Sequence, residues 1–190
     1  MIYRQAVEAD APAMGRMMVD TYMAAHKGQI PEAAWLQRQR EWTPEVSAAN
    51  WARSIRDIAN GDMPQTCIYV AVDESAAQAG EADNVAGICM GGPGDAMPWP
   101  NCGDIYAMYV SQDYQRRGVG RRLLQAVVGW LAQAGLTSLT IRALMANTPA
   151  LRFYAGLGGQ IVGTCEADEY GVMLSEQIFG WADIATFPVD

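Results

Sequence analysis

The sequence holds one histidine, His26, and four scattered cysteines, Cys67, Cys89, Cys102 and Cys165, with no C-x-x-C pair. A zinc centre needs clustered ligands, so no metal is expected and the cysteines read as small buried or half-buried thiols in a reducing compartment. No apolar stretch approaches the ~20 residues that cross a bilayer. The N-terminus, M-I-Y-R-Q-A-V-E-A-D, lacks the basic start and apolar run of a signal peptide. A cytoplasmic protein without membrane attachment is expected. Basic residues are scarce too: 13 Lys and Arg against 21 Asp and Glu give a net charge of −8. That argues against general nucleic-acid binding and is compatible with a cationic substrate. Low-complexity segments and fixed-period repeats are missing.

What is present suits one domain over residues 1–190, with 51% hydrophobic residues to build a core. Ile2–Ala6 reads as a strand, and Asp10-Ala11-Pro12 opens a helix carrying Met14, Met17, Met18 and Tyr22 at helical spacing. The stretch from His26 to Pro44 reads as broken by Gly28, Pro31 and Pro44, and Glu45–Asn60 as a helix stopped by Gly61. Thr66–Val72 and Val85–Met90 read as strands around a hairpin loop at Ala76–Asn84, with Gly91-Gly92-Pro93-Gly94 ending the second. After a loop at Asp95–Cys102, Asp104–Val110 reads as a strand, Gly118–Ala134 as a helix, Leu136–Ala143 as a strand and Thr148–Leu157 as a short helix. Gln160–Cys165 and Val172–Phe179 close the chain as strands, which makes a mixed α/β or α+β fold.

Four of the 13 basic residues, Arg116, Arg117, Arg121 and Arg122, fall within seven positions. They flank D-I-Y-A-M-Y-V-S-Q-D-Y-Q-R-R-G-V-G, a buried strand that runs through a polar turn into an amphipathic helix. The first turn of a helix carries N–H groups without intrahelical partners and partial positive charge from the dipole, so it attracts anions. Gly118 and Gly120 let backbone approach a diphosphate where a side chain would obstruct it. The third glycine of a dinucleotide fingerprint is missing, and no G-K-[S/T] of a Walker loop follows.

Q-R-R-G-V-G at Gln115–Gly120, after M-Y-V at Met108–Val110, resembles the acetyl-CoA motif (Q/R-x-x-G-x-G/A) of the GNAT superfamily of N-acetyltransferases. About 27 residues downstream, N-T-P-A-L-R-F-Y-A-G-L-G at Asn147–Gly158 is similar to that superfamily's second signature, N-x-x-A-x-x-F-Y-x-x-L-G. The order of elements is also that family's. The resemblance implies a mostly antiparallel sheet of about seven strands, with about four helices on its two faces and a splay at the acetyl-CoA site. It implies transfer of acetyl from acetyl-CoA to a primary amine by direct attack in a ternary complex, with no metal.

Residue by residue, the resemblance assigns pantetheine to the backbone of Met108, Tyr109 and Val110, and diphosphate to the turn from Gln115 through Arg116, Arg117, Gly118, Val119 and Gly120 to Arg121. Asn147 would cap its helix and hydrogen-bond the pantetheine arm. The Tyr154 phenol would protonate the leaving thiolate, with packing against Phe153 as its plain alternative. The oxyanion donor would be the N–H of Tyr109 or Val110. Residues 139–146 lack the glutamate that some relatives use as base. Asp104 or a water chain then remains for proton removal, and an exposed strand-end charge is the other reading of Asp104. His26, with no orienting partner visible in sequence, reads as acceptor-pocket wall or surface.

In this family the acceptor is chosen by the segment between the first helices and by the last hairpin. Here those are His26–Trp42, with Glu32, Trp35, Glu41 and Trp42, and Glu166–Gly171, with Glu166, Asp168 and Glu169. Carboxylates and tryptophans suit a small amine cation, and a solvated loop with two core tryptophans explains the same residues. The expected acceptor is a small cationic amine; a protein or peptide N-acetyltransferase and a non-catalytic acetyl-CoA sensor are the competing readings. The last strand and tail, Phe179–Asp190, are a candidate homodimer contact.

Overall fold

Residues 1–75, 84–94 and 98–188 are described by the computed structural model. Residues 76–83 of the expected hairpin loop, and 95–97 of the loop after it, lie outside the described residues. Seven strands, β1 (Ile2–Gln5), β2 (Cys67–Val72), β3 (Val85–Pro93), β4 (Cys102–Val110), β5 (Ser138–Leu144), β6 (Gln160–Glu169) and β7 (Val172–Trp181), form one sheet in the order β1-β2-β3-β4-β5-β7-β6. Every pairing is antiparallel except β4 with β5. The helices are α1 (Ala11–His26), α2 (Glu32–Glu41), α3 (Pro44–Asn60), α4 (Val119–Gln133) and α5 (Thr148–Gly156).

Two expectations are corrected by proline and glycine chemistry. The stretch from His26 to Pro44 is not simply broken but contains a full helix, α2, one of five helices among the described residues. Pro31 stands at the N-cap of α2 and Pro44 in the first turn of α3, positions where a missing N–H costs no hydrogen bond. The prolines start helices here. Likewise β3 does not end at Gly91, because Gly91, Gly92 and Pro93 continue to pair with Ile105, Asp104 and Gly103. The last hairpin also runs longer than expected, β6 to Glu169 and β7 to Trp181.

The sheet has a core on each face. α1 and α3 bring Met14, Met17 and Trp51 onto Ile68, Val70 and Ile88. On the other face α4 buries Leu123, Leu124, Val127 and Leu131 with Leu139, Ile141, Tyr154 and Phe179. α2 packs between α1 and the last hairpin, where Ile30, Ala34 and Trp42 meet Tyr22, Tyr170 and Leu174. The tail turns back on its own core, with Trp181 and Phe187 rings 5.3 Å apart and Gln125 Nε2 donating to the Pro188 carbonyl. Cys67, Cys89 and Cys102 are buried, and burial pushes the Cys67 thiol up to about 12. Among the described residues no helix is long and apolar enough to cross a membrane.

Two irregularities prepare the site. β4 and β5 pair over only four rungs, from Cys102–Ser138 to Ile105–Ile141, after which Arg142–Leu144 continue beside β7 alone. From Tyr106 onward β4 therefore has β3 on one side and a gap on the other. The second irregularity is a bulge: Met90 faces Ala107 and Gly91 faces Ile105, so Tyr106 is the extra residue. A bulge of one residue exchanges the faces beyond it. Ile105 packs on the α4 side, as do Met108 and Val110, whereas Ala107 and Tyr109 pack on the α1 and α3 side.

Candidate active site

A cavity of about 430 Å³ occupies the gap between β4 and β5 and reaches both faces of the sheet. Tyr154, Asn147 and Ala150 of α5 and its N-cap line the α4 side. Tyr22 and His26 of α1, Arg38 of α2, Asp104, Arg142, Glu169 and Glu176 line the rest. Asp104, Met108, Tyr109, Asn147 and Tyr154, separated by up to 50 positions in sequence, thus meet around one opening.

The backbone of β4 supplies that opening with donors and acceptors. The Ser111 amide donates to the Ala86 carbonyl at 2.9 Å. Counting back by twos, Tyr109 and Ala107 turn their N–H and C=O toward β3, and Met108 and Val110 turn theirs toward the gap. Of the two amides named from sequence for an oxyanion, that of Val110 faces the opening and that of Tyr109 faces β3. The Val110 carbonyl already accepts from Gln115 Nε2 at 2.9 Å, which ties the turn to the end of β4.

The turn itself is wound by left-handed residues. Gly118 caps α4 at φ 82°, and Arg116 takes φ 61°, a conformation that costs an L-residue roughly 1–2 kcal/mol. The first helical bond runs from the Arg122 amide to the Gly118 carbonyl, so the amides of Val119 and Gly120 point out of the first turn without intrahelical acceptors. A Cβ on Gly120 would stand 3.0 Å from Met108 Cε, so the helix start lies directly against β4. Gln115, Arg116, Arg117, Gly118, Val119, Gly120 and Arg121 form this end of the site, adjacent to the cavity but outside its lining.

α5 opens on Asn147, whose side chain accepts from the Ala150 amide at 3.3 Å, with proline in the first turn. About two turns on from Asn147, Tyr154 is buried between Phe153 and Phe179, at ring distances of 5.5 and 5.9 Å. Burial, more than the neighbouring Cys89 and Tyr109, pushes its phenol well above the ordinary tyrosine value. It keeps its proton at any working pH.

Asp104 is buried, not an exposed strand-end charge. Thr140 Oγ1 donates to one carboxylate oxygen at 2.9 Å, and Arg142 lies 3.3 Å from the other. Both oxygens are engaged. At the far end, Arg38 pairs with Glu169 of the last hairpin and stacks over Tyr22 at 4.0 Å and Trp42 at 4.6 Å. Of the acceptor residues named from sequence, Glu169 lines the cavity and Trp42 backs it; Glu32, Glu41, Glu166 and Asp168 are exposed. Arg38, inside the segment His26–Trp42, was not singled out from sequence, and Tyr22 and Glu176 lie outside both named segments. Their places depend on α2 forming and on the hairpin folding over it.

The Acetyltransferase (GNAT) family model matches residues 29–159. An uncharacterized N-acetyltransferase, YuaI, of Bacillus subtilis is 32% identical over 83 residues, 44% of this chain, and the chain spans 47% of that relative's length. Two solved structures share the fold at lower identity. The PaiA N-acetyltransferase of Thermoplasma acidophilum in complex with coenzyme A matches with TM-score 0.67, 14% identity and 93% and 96% of the two chains covered. A ribosomal-protein-alanine N-acetyltransferase of Brucella melitensis matches with TM-score 0.65, 18% identity and 95% and 99% covered. With the family model covering more than half of its length, and with both signatures standing at the gap in the sheet, this chain belongs to the Acetyltransferase (GNAT) family.

Proposed function

We propose that this chain transfers acetyl from acetyl-CoA to the nitrogen of a small cationic amine in the cytoplasm. The observation that carries this reading is the cavity that crosses the sheet, with donor-binding elements on one face and ionised side chains on the other. Family membership and the fold shared with a coenzyme A complex support the donor. On this reading the amides of Val119 and Gly120 hold the diphosphate, with Arg116, Arg117 and Arg121 adding screened attraction. Pantetheine takes the place of a strand beside Met108 and Val110, and Asn147 borders it. The Val110 amide supports the oxyanion formed when nitrogen attacks the thioester carbon. Tyr154 then gives its proton to the departing sulfur. Asp104, held by Thr140 and Arg142, sets charge at the reacting centre.

The size and charge of the far end support a small amine. Asp104, Glu169 and Glu176 against Arg38 and Arg142 leave one net negative charge in the lining. The Arg38–Glu169 pair ties α2 to the last hairpin at this end of the cavity, which narrows the room left for a bulky acceptor. The test is thiol release from acetyl-CoA with a panel of amines, polyamines, aminoglycosides and peptides. Turnover with small amines is the expected outcome. Turnover confined to peptides would transfer the assignment to the protein-acetylating class, and a flat panel with tight acetyl-CoA binding to a sensor. The turn has its own test: Gly118→Trp should weaken acetyl-CoA binding by more than about tenfold while the melting curve stays cooperative. Unimpaired binding would remove the turn as the diphosphate cradle.

A further inference from the structure

We infer that His26 is the general base of the reaction, taking a proton from the acceptor ammonium at the α1 end of the cavity; this rests on the acetyltransferase reading above. His26 is buried at the C-terminal end of α1 and lines the cavity. Its Nδ1 lies 3.2 Å from the Tyr22 carbonyl, the carbonyl one turn back in its own helix. An acceptor there assigns the proton to Nδ1 and leaves the lone pair on Nε2, at the opposite side of the ring. Stacking on Tyr22, with centroids 4.3 Å apart and planes 16° apart, fixes the ring against rotation. The base therefore has the orienter that a catalytic imidazole needs.

Groups facing this region come from four elements: Tyr22 on α1, Arg38 on α2, Tyr109 on β4 and Glu169 on β6. Burial is the largest influence on the imidazole and holds it below the ordinary histidine value; the Tyr22 carbonyl and Glu169 act against this and Arg38 with it. An imidazole held below its ordinary value favours the neutral form, the state a base requires. Asp104 has both oxygens engaged, whereas Nε2 is left for the substrate. The proton balance closes. The ammonium loses one proton to His26, which passes it to solvent. The neutral nitrogen forms the C–N bond as C–S breaks, and the second nitrogen proton leaves as Tyr154 protonates the sulfur and is itself reprotonated.

His26 is the chain's single histidine, so 15N-histidine labelling gives one unambiguous imidazole spectrum. At pH 7 the expected spectrum is the neutral tautomer with bare Nε2; a cation, or a bare Nδ1, would overturn the inference. The kinetic arm uses two amines of similar shape and different basicity, ethylamine and 2,2,2-trifluoroethylamine. His26→Gln should lower kcat/KM for ethylamine by about 10²-fold and replace the histidine limb of its pH profile with a rise that continues toward the amine's own pKa. Trifluoroethylamine, already neutral at the assay pH, should lose little. Asp104→Asn should keep the histidine limb. Equal losses for both amines, or an intact limb in His26→Gln, would make His26 a packing residue. A wild-type protein that binds acetyl-CoA yet acetylates neither amine would overturn the underlying reading instead.

Discussion

Tyr154→Phe is expected to slow acetyl transfer by about 10²-fold, or about 2.7 kcal/mol of barrier, while acetyl-CoA affinity stays nearly unchanged. The substitution keeps the ring that packs between Phe153 and Phe179 and deletes the hydroxyl alone. If the residue served packing, turnover would survive. The phenol's upward shift by burial bears on how the loss is read. A donor that holds its proton this firmly cannot ionise ahead of the reaction; it hydrogen-bonds the sulfur and yields the proton only as thiolate charge develops. The defect should thus be largest with acetyl-CoA and smaller with a thioester whose leaving thiol is more acidic. Steady-state thiol release with both donors, beside calorimetric acetyl-CoA binding, checks the claim, and equal turnover of mutant and wild type would remove Tyr154 as the acid.

Gly15→Leu is expected to destabilise the fold by about 3 kcal/mol and to lower the melting temperature by roughly 6–12 °C. Gly15 lies on α1 where it crosses α3. A Cβ there would stand 2.5 Å from the Pro44 carbonyl oxygen and 2.6 Å from the Ala48 amide nitrogen. Both are backbone atoms of α3, so no rotamer can relieve the clash and the helices must part. Because α1 carries Tyr22 and His26 into the cavity, the same change should disturb acceptor use more than acetyl-CoA binding. Differential scanning calorimetry reads the first effect; a melting temperature within about 1 °C of wild type would show that the α1–α3 crossing is loose.

The turn and the helix cap of the candidate site were legible in the sequence because their instructions are local. The turn from Gln115 to Gly120 and the cap at Asn147 each lie within one short segment, and helix-start chemistry there has few alternatives. The opposite end was legible only as two segments, His26–Trp42 and Glu166–Gly171, because its residues act through distant partners. Arg38 has a role only once α2 forms and the last hairpin brings Glu169 across, and α2 was hidden by prolines that start helices. His26 gained an orienter from the carbonyl one turn earlier, which requires α1 to run to its very end. The bulge at Tyr106 left no mark either: from Ile105 to Val110 the strand is an unbroken apolar run, and the extra residue is revealed only by the register against β3.

The four-rung contact between β4 and β5 has a mechanical consequence. Past Ile105 the sheet is two half-sheets, β1–β4 and β5–β7, held together at one end like a pair of tongs. Across the open end they are joined by no strand-to-strand hydrogen bonds, only by the side chains and helices that span the gap. On the proposed function, the pantetheine arm lies in this wedge and acts as a removable crosspiece. Occupancy by donor would set the spacing of the jaws, and with it the distance between Tyr154 on one side and the Val110 amide on the other. Amine arriving before acetyl-CoA would meet jaws not yet braced, which favours donor first in the order of binding.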